Sequence, residues 1–381
     1  MRILYCTSEA NPYAGSGGLA DVAASLPKTL RQRGIDCRVV MPLYGTIPQY
    51  LRDGMHYITN FTVPTAWRRQ YCGVFWAEYD GVTFYFIDNE YYFKRSGLYG
   101  FYDDAERFSF FSRAILEMLP YIDFHPDLIH TNDWQTALVP TYYYFFYSKN
   151  PWYHNIKSLY TIHNIQYQGM YGWEVNTECV GIPEDCTKML EMDGKLNMSK
   201  GAIETSTRVS TVSPSYAKEI LDPWFACGLD QILKHRAYKL CGILNGIDND
   251  SYNPATDFHM YANYTPEYPQ GKEECKRRLQ ERLCLAQRGD IPLIAMVTRL
   301  VSHKGLDLFR GGIEHILDNY DVQFVVLGSG DKEYEDYFWY LQSKYPGRVC
   351  FCHGYVPELA RKIYAGSDTV SYTHLRAHET K

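Results

Sequence analysis

Two cations, Arg299 and Lys304, stand within the run Thr298-Arg299-Leu300-Val301-Ser302-His303-Lys304-Gly305-Leu306-Asp307. An apolar run, Leu293 to Val297, precedes them and reads as a strand. A helical pattern opens at Leu306. A guanidinium grips phosphate oxygens in a fork, and an ammonium adds a compact charge. A nucleoside diphosphate leaving a sugar gains negative charge as the glycosidic bond breaks. Cations fixed at that point stabilise the transition state more than the ground state. The same pair also fits a solvated basic loop.

Near the N-terminus, Ser16-Gly17-Gly18-Leu19-Ala20-Asp21-Val22 joins an apolar run to a helical pattern. Glycines there let backbone N–H groups approach an anion, and a helix N-terminus adds partial positive charge. A glycine-rich turn of this kind is equally often structural. The Gly-x-Gly-x-x-Gly spacing of dinucleotide sites is absent, which disfavours a nicotinamide oxidoreductase. Further polar residues close other apolar runs: Asn132-Asp133, His163-Asn164 and Ser213-Pro214. Each has a bland reading beside the chemical one. Asp133 could cap the helix after it, His163 could be a buried structural histidine, Asp21 could pair charge in a first helical turn, and Asn245 could serve a turn.

The elements that must position these residues alternate. Strands are expected at Ile3–Cys6, Cys37–Met41, Val82–Ile87, Leu128–Thr131, Ser158–Ile162 and Arg208–Val212. Leu19, Val22, Ala23, Leu26 and Leu30 fall at helical spacing, and Phe108–Leu119 reads as a second helix. Asn132-Asp133-Trp134 is expected to open an aromatic helix. The rhythm breaks between Leu244 and Pro269, where the domain boundary is placed, and then restarts. Helices are expected at Lys272–Leu285, Leu306–Asn319, Tyr334–Lys344 and Glu358–Tyr364, with strands at Leu293–Val297, Gln323–Leu327 and Val349–Cys352. Such alternation implies parallel sheets covered on both faces, with ligands gathering at the carboxyl ends of strands.

Composition narrows the class. The chain has 381 residues, 46% hydrophobic and 22% charged, which fits two globular α/β domains. A formal net charge of -6 argues against a nucleic-acid partner. No apolar stretch reaches the roughly 18 residues of a membrane span, and no signal segment is read, so a cytoplasmic location is expected. Eleven scattered cysteines do not make a disulfide framework. Cys350 and Cys352 share one strand face and are read as packing.

Taken in order, these motifs resemble those of bacterial glycogen synthases and plant starch synthases over roughly residues 1–368. The matches are Ser8-Glu9, Gly17 to Val22, His130 to Trp134, Thr161 to Asn164 with Tyr167-Gln168-Gly169, and Ser213-Pro214. Gly242 to Asp248, Thr298-Arg299-Leu300 with Lys304 to Asp307, and Gly328-Ser329-Gly330 complete them. The resemblance implies a GT-B fold, an α/β architecture of two Rossmann-like domains facing a cleft. It also implies transfer of glucose from ADP-glucose to the non-reducing end of an α-1,4-glucan, with anomeric retention, no metal and no other cofactor. The implied catalytic residues are His163, Asp133, Arg299 and Lys304, the two cations holding the donor diphosphate. The implied substrate-binding residues are Gly17, Gly18, Asp21, Asn164, Asn245, Gly328 and Tyr355. The histidine would stand near the sugar and not act as a triad base. The implied partners are the donor and the glucan, with neither nucleic acid nor membrane.

Two departures stand out. Gly15-Ser16 replaces the Lys-Thr or Lys-Val that many bacterial members carry before Gly-Gly-Leu, which leaves ADP- against UDP-glucose open. A UDP-glucose-using GT-B transferase and a non-catalytic glucan-binding protein are the other readings. The family's Glu-Pro-Cys-Gly-Leu segment, due some ten residues after Asp368, is not found. The expected domains are residues 1–250, a partial second domain 251–368, and a non-native tail 369–381, too polar for the buried strand due there. Little or no synthase activity is expected of the chain on this account.

Overall fold

The computed structural model describes residues 1–354 and 356–371. Its contacts separate two compact units, the first running from Met1 to Ile247 and the second starting at Asp248.

The first unit is built on a nine-stranded sheet. Its strands include β1 (Arg2–Cys6), β2 (Asp36–Pro42), β3 (His56–Thr65), β4 (Arg68–Tyr79), β5 (Val82–Asp88), β6 (Leu128–Asn132) and β7 (Lys157–Ile162). Three short strands, β8 (Met170–Tyr171), β9 (Glu191–Met192) and β10 (Lys195–Asn197), form a separate small sheet. The strands β11 (Arg208–Thr211) and β12 (Leu240–Gly242) complete the large one, whose order is β12-β11-β7-β6-β1-β2-β5-β4-β3. From β12 to β5 every pairing is parallel, while β3 and β4 add an antiparallel hairpin. Central strands such as β1 are buried on both faces, so they read as unbroken apolar runs. Chain order reverses between β1 and β6, which makes their carboxyl ends the topological switch point of the sheet.

Two expectations change here. The hairpin of β3 and β4 was not expected, because one of its faces is wet and its residues alternate polar with aromatic. The expected aromatic helix after Asp133 is three windings: a 3₁₀ turn at Trp134–Thr136, an α-helix at Leu138–Tyr142 and a π-helix at Tyr143–Tyr147. Pro140 sits inside this stretch and offers no N–H to the ladder.

The second unit holds a parallel sheet of order β15-β14-β13-β16, from β13 (Leu293–Val297), β14 (Gln323–Gly328), β15 (Val349–His353) and β16 (Thr369–Val370). Helices Gln270–Arg282, Leu306–Asn319, Lys332–Lys344 and Pro357–Gly366 accompany it. Alternation along β14 divides the core: Phe324 and Val326 join one apolar cluster, Val325 and Leu327 the other. Thr369–Val370 was expected to be too polar for a strand, yet it pairs with Ile294 and Ala295 of β13. Backbone pairing carries it: Asp368 N–H reaches Leu293 C=O at 2.9 Å and Ser371 N–H reaches Ala295 C=O at 2.7 Å. The rest of the expected tail, 372–381, lies outside the described residues. Among the described residues no helix is long and apolar enough to cross a membrane.

Candidate functional site

In the first unit, the loops leaving β1, β6 and β7 are tied to one another by buried polar groups. After β1 the chain runs Thr7-Ser8-Glu9, all buried. The Glu9 Oε2 atom accepts both the N–H and the hydroxyl of Ser16, each at 2.7 Å. This carboxylate therefore fixes the turn that delivers Gly17 and Gly18 to the N-terminus of helix Gly18–Gln32. Gly15 has no room for a side chain, since a Cβ there would lie 2.7 Å from both the Ala20 Cβ and the Asn11 Oδ1. At Gly15-Ser16 the loop is closed by Ser16 on Glu9 and packed tight at position 15. Asp21 lies exposed in the first helical turn, where the Asn11 side-chain amide donates to it at 2.7 Å.

Asp133 follows β6 with φ 56° and ψ -179°, a conformation that side chains rarely adopt. Holding such a residue costs on the order of 1–3 kcal/mol, and the surroundings must impose it. They do so through three bonds. The Asp133 N–H donates to Thr161 C=O at 3.0 Å. Its Oδ1 accepts the N–H of His163 at 2.8 Å and that of Asn164 at 3.3 Å. Its side chain makes no hydrogen bond to the 3₁₀ turn that it precedes, so the helix-cap reading does not describe it. The carboxylate instead shapes the loop after β7.

His163 is half-buried, and its Nε2 lies 2.9 Å from Asn132 Oδ1. That oxygen also accepts the Tyr5 hydroxyl at 3.1 Å, while the Asn132 amide nitrogen donates to Cys6 C=O at 3.0 Å. An amide oxygen only accepts, so the neutral His163 ring carries its proton on Nε2. The ring is oriented by the fold and is not the fully buried structural histidine. That role belongs to His130, whose Nε2 meets Thr161 Oγ1 at 2.7 Å. Burial, helped by His163, pushes the His130 pKa down to about 3, so the ring stays neutral. Asn164 accepts the Gln166 N–H at 3.0 Å, and Asn245 lies half-buried in the loop after β12.

The second unit presents its own set at the ends of β13 and β14. Arg299 is exposed and Lys304 half-buried, and neither is paired with a carboxylate among the described residues. The backbone beneath them is fixed by Leu300 N–H to Ser329 C=O at 2.9 Å and Asp331 N–H to Leu300 C=O at 2.7 Å. Gly328 and Gly330 permit this approach: a Cβ would lie 2.0 Å from Thr298 O at the first and 2.2 Å from Leu300 O at the second. Glu335 ties in the end of β15, accepting Gly330 N–H at 2.9 Å and pairing with His353 Nε2 at 3.0 Å. The Gly330 N–H leads in holding the Glu335 carboxyl below its usual range, with His353 adding to it. Tyr355, expected to bind substrate, lies outside the described residues.

Gly17, Gly18, Asp21, Asp133, His163 and Asn164 therefore gather at the switch-point end of the first unit, and Arg299, Lys304 and Gly328 at the strand ends of the second. Sequence reasoning gave Glu9, Asn132 and Glu335 no role. Glu9 had a signal, a carboxylate three residues past an apolar strand, whereas the other two act through contacts made only on folding. Among the described residues, no three His, Cys, Asp or Glu side chains are grouped to hold a metal ion.

The starch synthase catalytic domain model matches residues 2–235. The glycogen synthase of Bacillus cereus (strain B4264) is 47% identical over 372 residues, covering 97% of this chain and 78% of that protein. That of Desulforamulus reducens is 47% identical over 370 residues, covering 97% and 77%. The catalytic domain of starch synthase IV from Arabidopsis thaliana, solved with ADP and acarbose, superposes with a TM-score of 0.91 at 32% identity, covering 98% of this chain and 78% of that one. The fold class is α/β of the GT-B type, with a Rossmann-like sheet in each unit.

Proposed function

The chain belongs to the starch synthase catalytic domain family, and from that premise we propose that it elongates an α-1,4-glucan using ADP-glucose. It is a glucosyltransferase of the glycogen and starch synthase kind. In this reading Arg299 and Lys304 take the donor diphosphate. Among the described residues their charges are unpaired by carboxylates, and they stand beside the N-terminus of helix Leu306–Asn319, where a departing anion is stabilised. Gly17, Gly18, Asp21, Asn164 and Asn245 line the sugar and acceptor side. Asp133 and His163 face the reacting sugar, the first fixing the backbone of the second. Gly328 keeps the diphosphate loop close, and Tyr355 is assigned a substrate contact.

In this reading no metal is needed, since two side-chain cations and a helix N-terminus meet the negative charge that the diphosphate gains on leaving. A cytoplasmic setting is part of the proposal; the eleven free thiols, three of them exposed, suit a reducing compartment.

The observation that carries the proposal is the pair of cations, without a carboxylate partner among the described residues, beside a loop whose glycines allow backbone to touch backbone. Titration calorimetry with ADP tests it. Replacing Arg299→Ala and Lys304→Ala together is expected to weaken ADP by about 100-fold or more, from the loss of charge-assisted hydrogen bonds. Added EDTA is expected to change nothing, and UDP to bind more weakly than ADP. An unaltered ADP affinity in the double variant would overturn the assignment.

A further inference from the structure

We propose that Asn132, backed by Tyr5, is a positioning residue for glucosyl transfer: the two fix the tautomer and the ring plane of His163 before a sugar arrives. This rests on the reading that His163 faces the reacting sugar. Three neighbouring strands contribute one residue each. Tyr5 lies in β1, Asn132 ends β6, and His163 follows β7. The order β7-β6-β1 sets them in a row across the switch point. In register, Tyr5 stands opposite His130, two residues before Asn132, and Asn132 stands opposite Thr161, two residues before His163. Residues two apart in a strand share a face, so the three side chains converge.

The bonds of Asn132 leave it one orientation. It is fully buried. Its N–H donates to Thr136 Oγ1 at 2.7 Å, and its C=O accepts that hydroxyl at 2.8 Å. Its side-chain amide nitrogen donates to Cys6 C=O at 3.0 Å. A carbonyl only accepts, so the amide cannot be turned over without losing that bond. Oδ1 is therefore the atom offered to Tyr5 and His163. The Tyr5 hydroxyl, also buried, reaches it at 3.1 Å. Burial, ahead of Cys37, Asp133 and Cys6, pushes the pKa of this hydroxyl well up, so it keeps its proton and donates.

An amide oxygen has two lone pairs. Tyr5 occupies one, and His163 Nε2 occupies the other at 2.9 Å. A proton moved to Nδ1 would leave bare Nε2 against that oxygen, two acceptors with nothing between them. Buried acceptors left so are costly. The bond made at one ring nitrogen thereby sets the proton of both. Asp133, the next residue, holds the backbone of His163 through its N–H at 2.8 Å. Consecutive residues at the end of β6 thus fix the ring and the main chain separately. A group held in this way need not reorganise when its substrate binds.

Nitrogen NMR of the histidine rings in the whole chain tests this, with His163→Gln to assign the signal. In mildly alkaline buffer, where a free imidazole is neutral, His163 is expected to show a protonated Nε2 and a bare Nδ1. A proton on Nδ1 overturns the proposal. Asn132→Leu is expected to mix the two forms, and Asn132→Asp, which keeps an oxygen, to restore the first. Calorimetry adds a readout on the sugar. Asn132→Leu is expected to weaken ADP-glucose by about tenfold and to leave ADP unchanged. A residue that only supports the fold would weaken both ligands or neither, and that result removes Asn132 from the reaction. Should this variant fail to fold, Tyr5→Phe decides. It takes one hydroxyl from the same oxygen and is expected to weaken ADP-glucose about threefold, with ADP again unchanged. A chain that binds no ADP would remove the donor assignment above and leave the ring signal to decide this one.

Discussion

Asp133 shows what a single residue in this protein is asked to do. Its φ of 56° is tolerated because its carboxylate holds two N–H groups of the neighbouring loop. Asp133→Ala is expected to leave those amides without their acceptor, costing about 1–3 kcal/mol. Asp133→Asn keeps an oxygen in place and is expected to cost less. Hydrogen exchange read at the His163 and Asn164 amides checks this: faster in the alanine variant, near normal in the asparagine one. Equal protection in both would mean that the backbone, not the carboxylate, sets the loop. The positions of Asp133 and His163 were legible in the sequence, as polar residues closing apolar runs. Their bond was not, because it links residues 30 apart through a strand pairing that forms only in the folded sheet.

At the scale of the element, β6, β7 and β11 share a buried polar row. His130 meets Thr161 Oγ1 at 2.7 Å, and Thr161 meets Ser210 Oγ at 2.7 Å. The His130 pKa falls from an ordinary 6.5 to about 3 on folding, chiefly through burial. Between those values the unfolded chain binds the extra proton and the folded chain does not, so stability rises with pH across that window. The contribution is complete above 6.5 and is lost as pH falls toward 3. Melting temperature followed over this range is expected to fall less steeply in His130→Gln, which cannot take up that proton. An identical slope in both proteins would show that other groups govern acid unfolding. The strands themselves were readable because each is a short apolar run bounded by turn residues. The antiparallel hairpin of β3 and β4 was not, since a half-wet strand rich in Tyr, Thr and Arg lacks that contrast.

Among the described residues of the whole molecule, one large apolar cluster belongs to the first unit, and two smaller clusters lie in the second. Residues 1–247 alone are therefore expected to melt cooperatively, as a domain with its own core does. A broad, non-cooperative transition by circular dichroism would contradict this. The amino-acid sequence determined the order of elements, the restart of the pattern in the second half, and which residue types stand at strand ends. Those follow from local spacing, turn chemistry and burial, all written along the chain. Tertiary structure alone decided which strand ends are neighbours, that Glu9 closes the glycine turn, and that His163 is held by Asn132. The Glu9 contact spans seven residues within one loop; the others join segments far apart in sequence, which only the register of strands across a sheet brings within bonding distance.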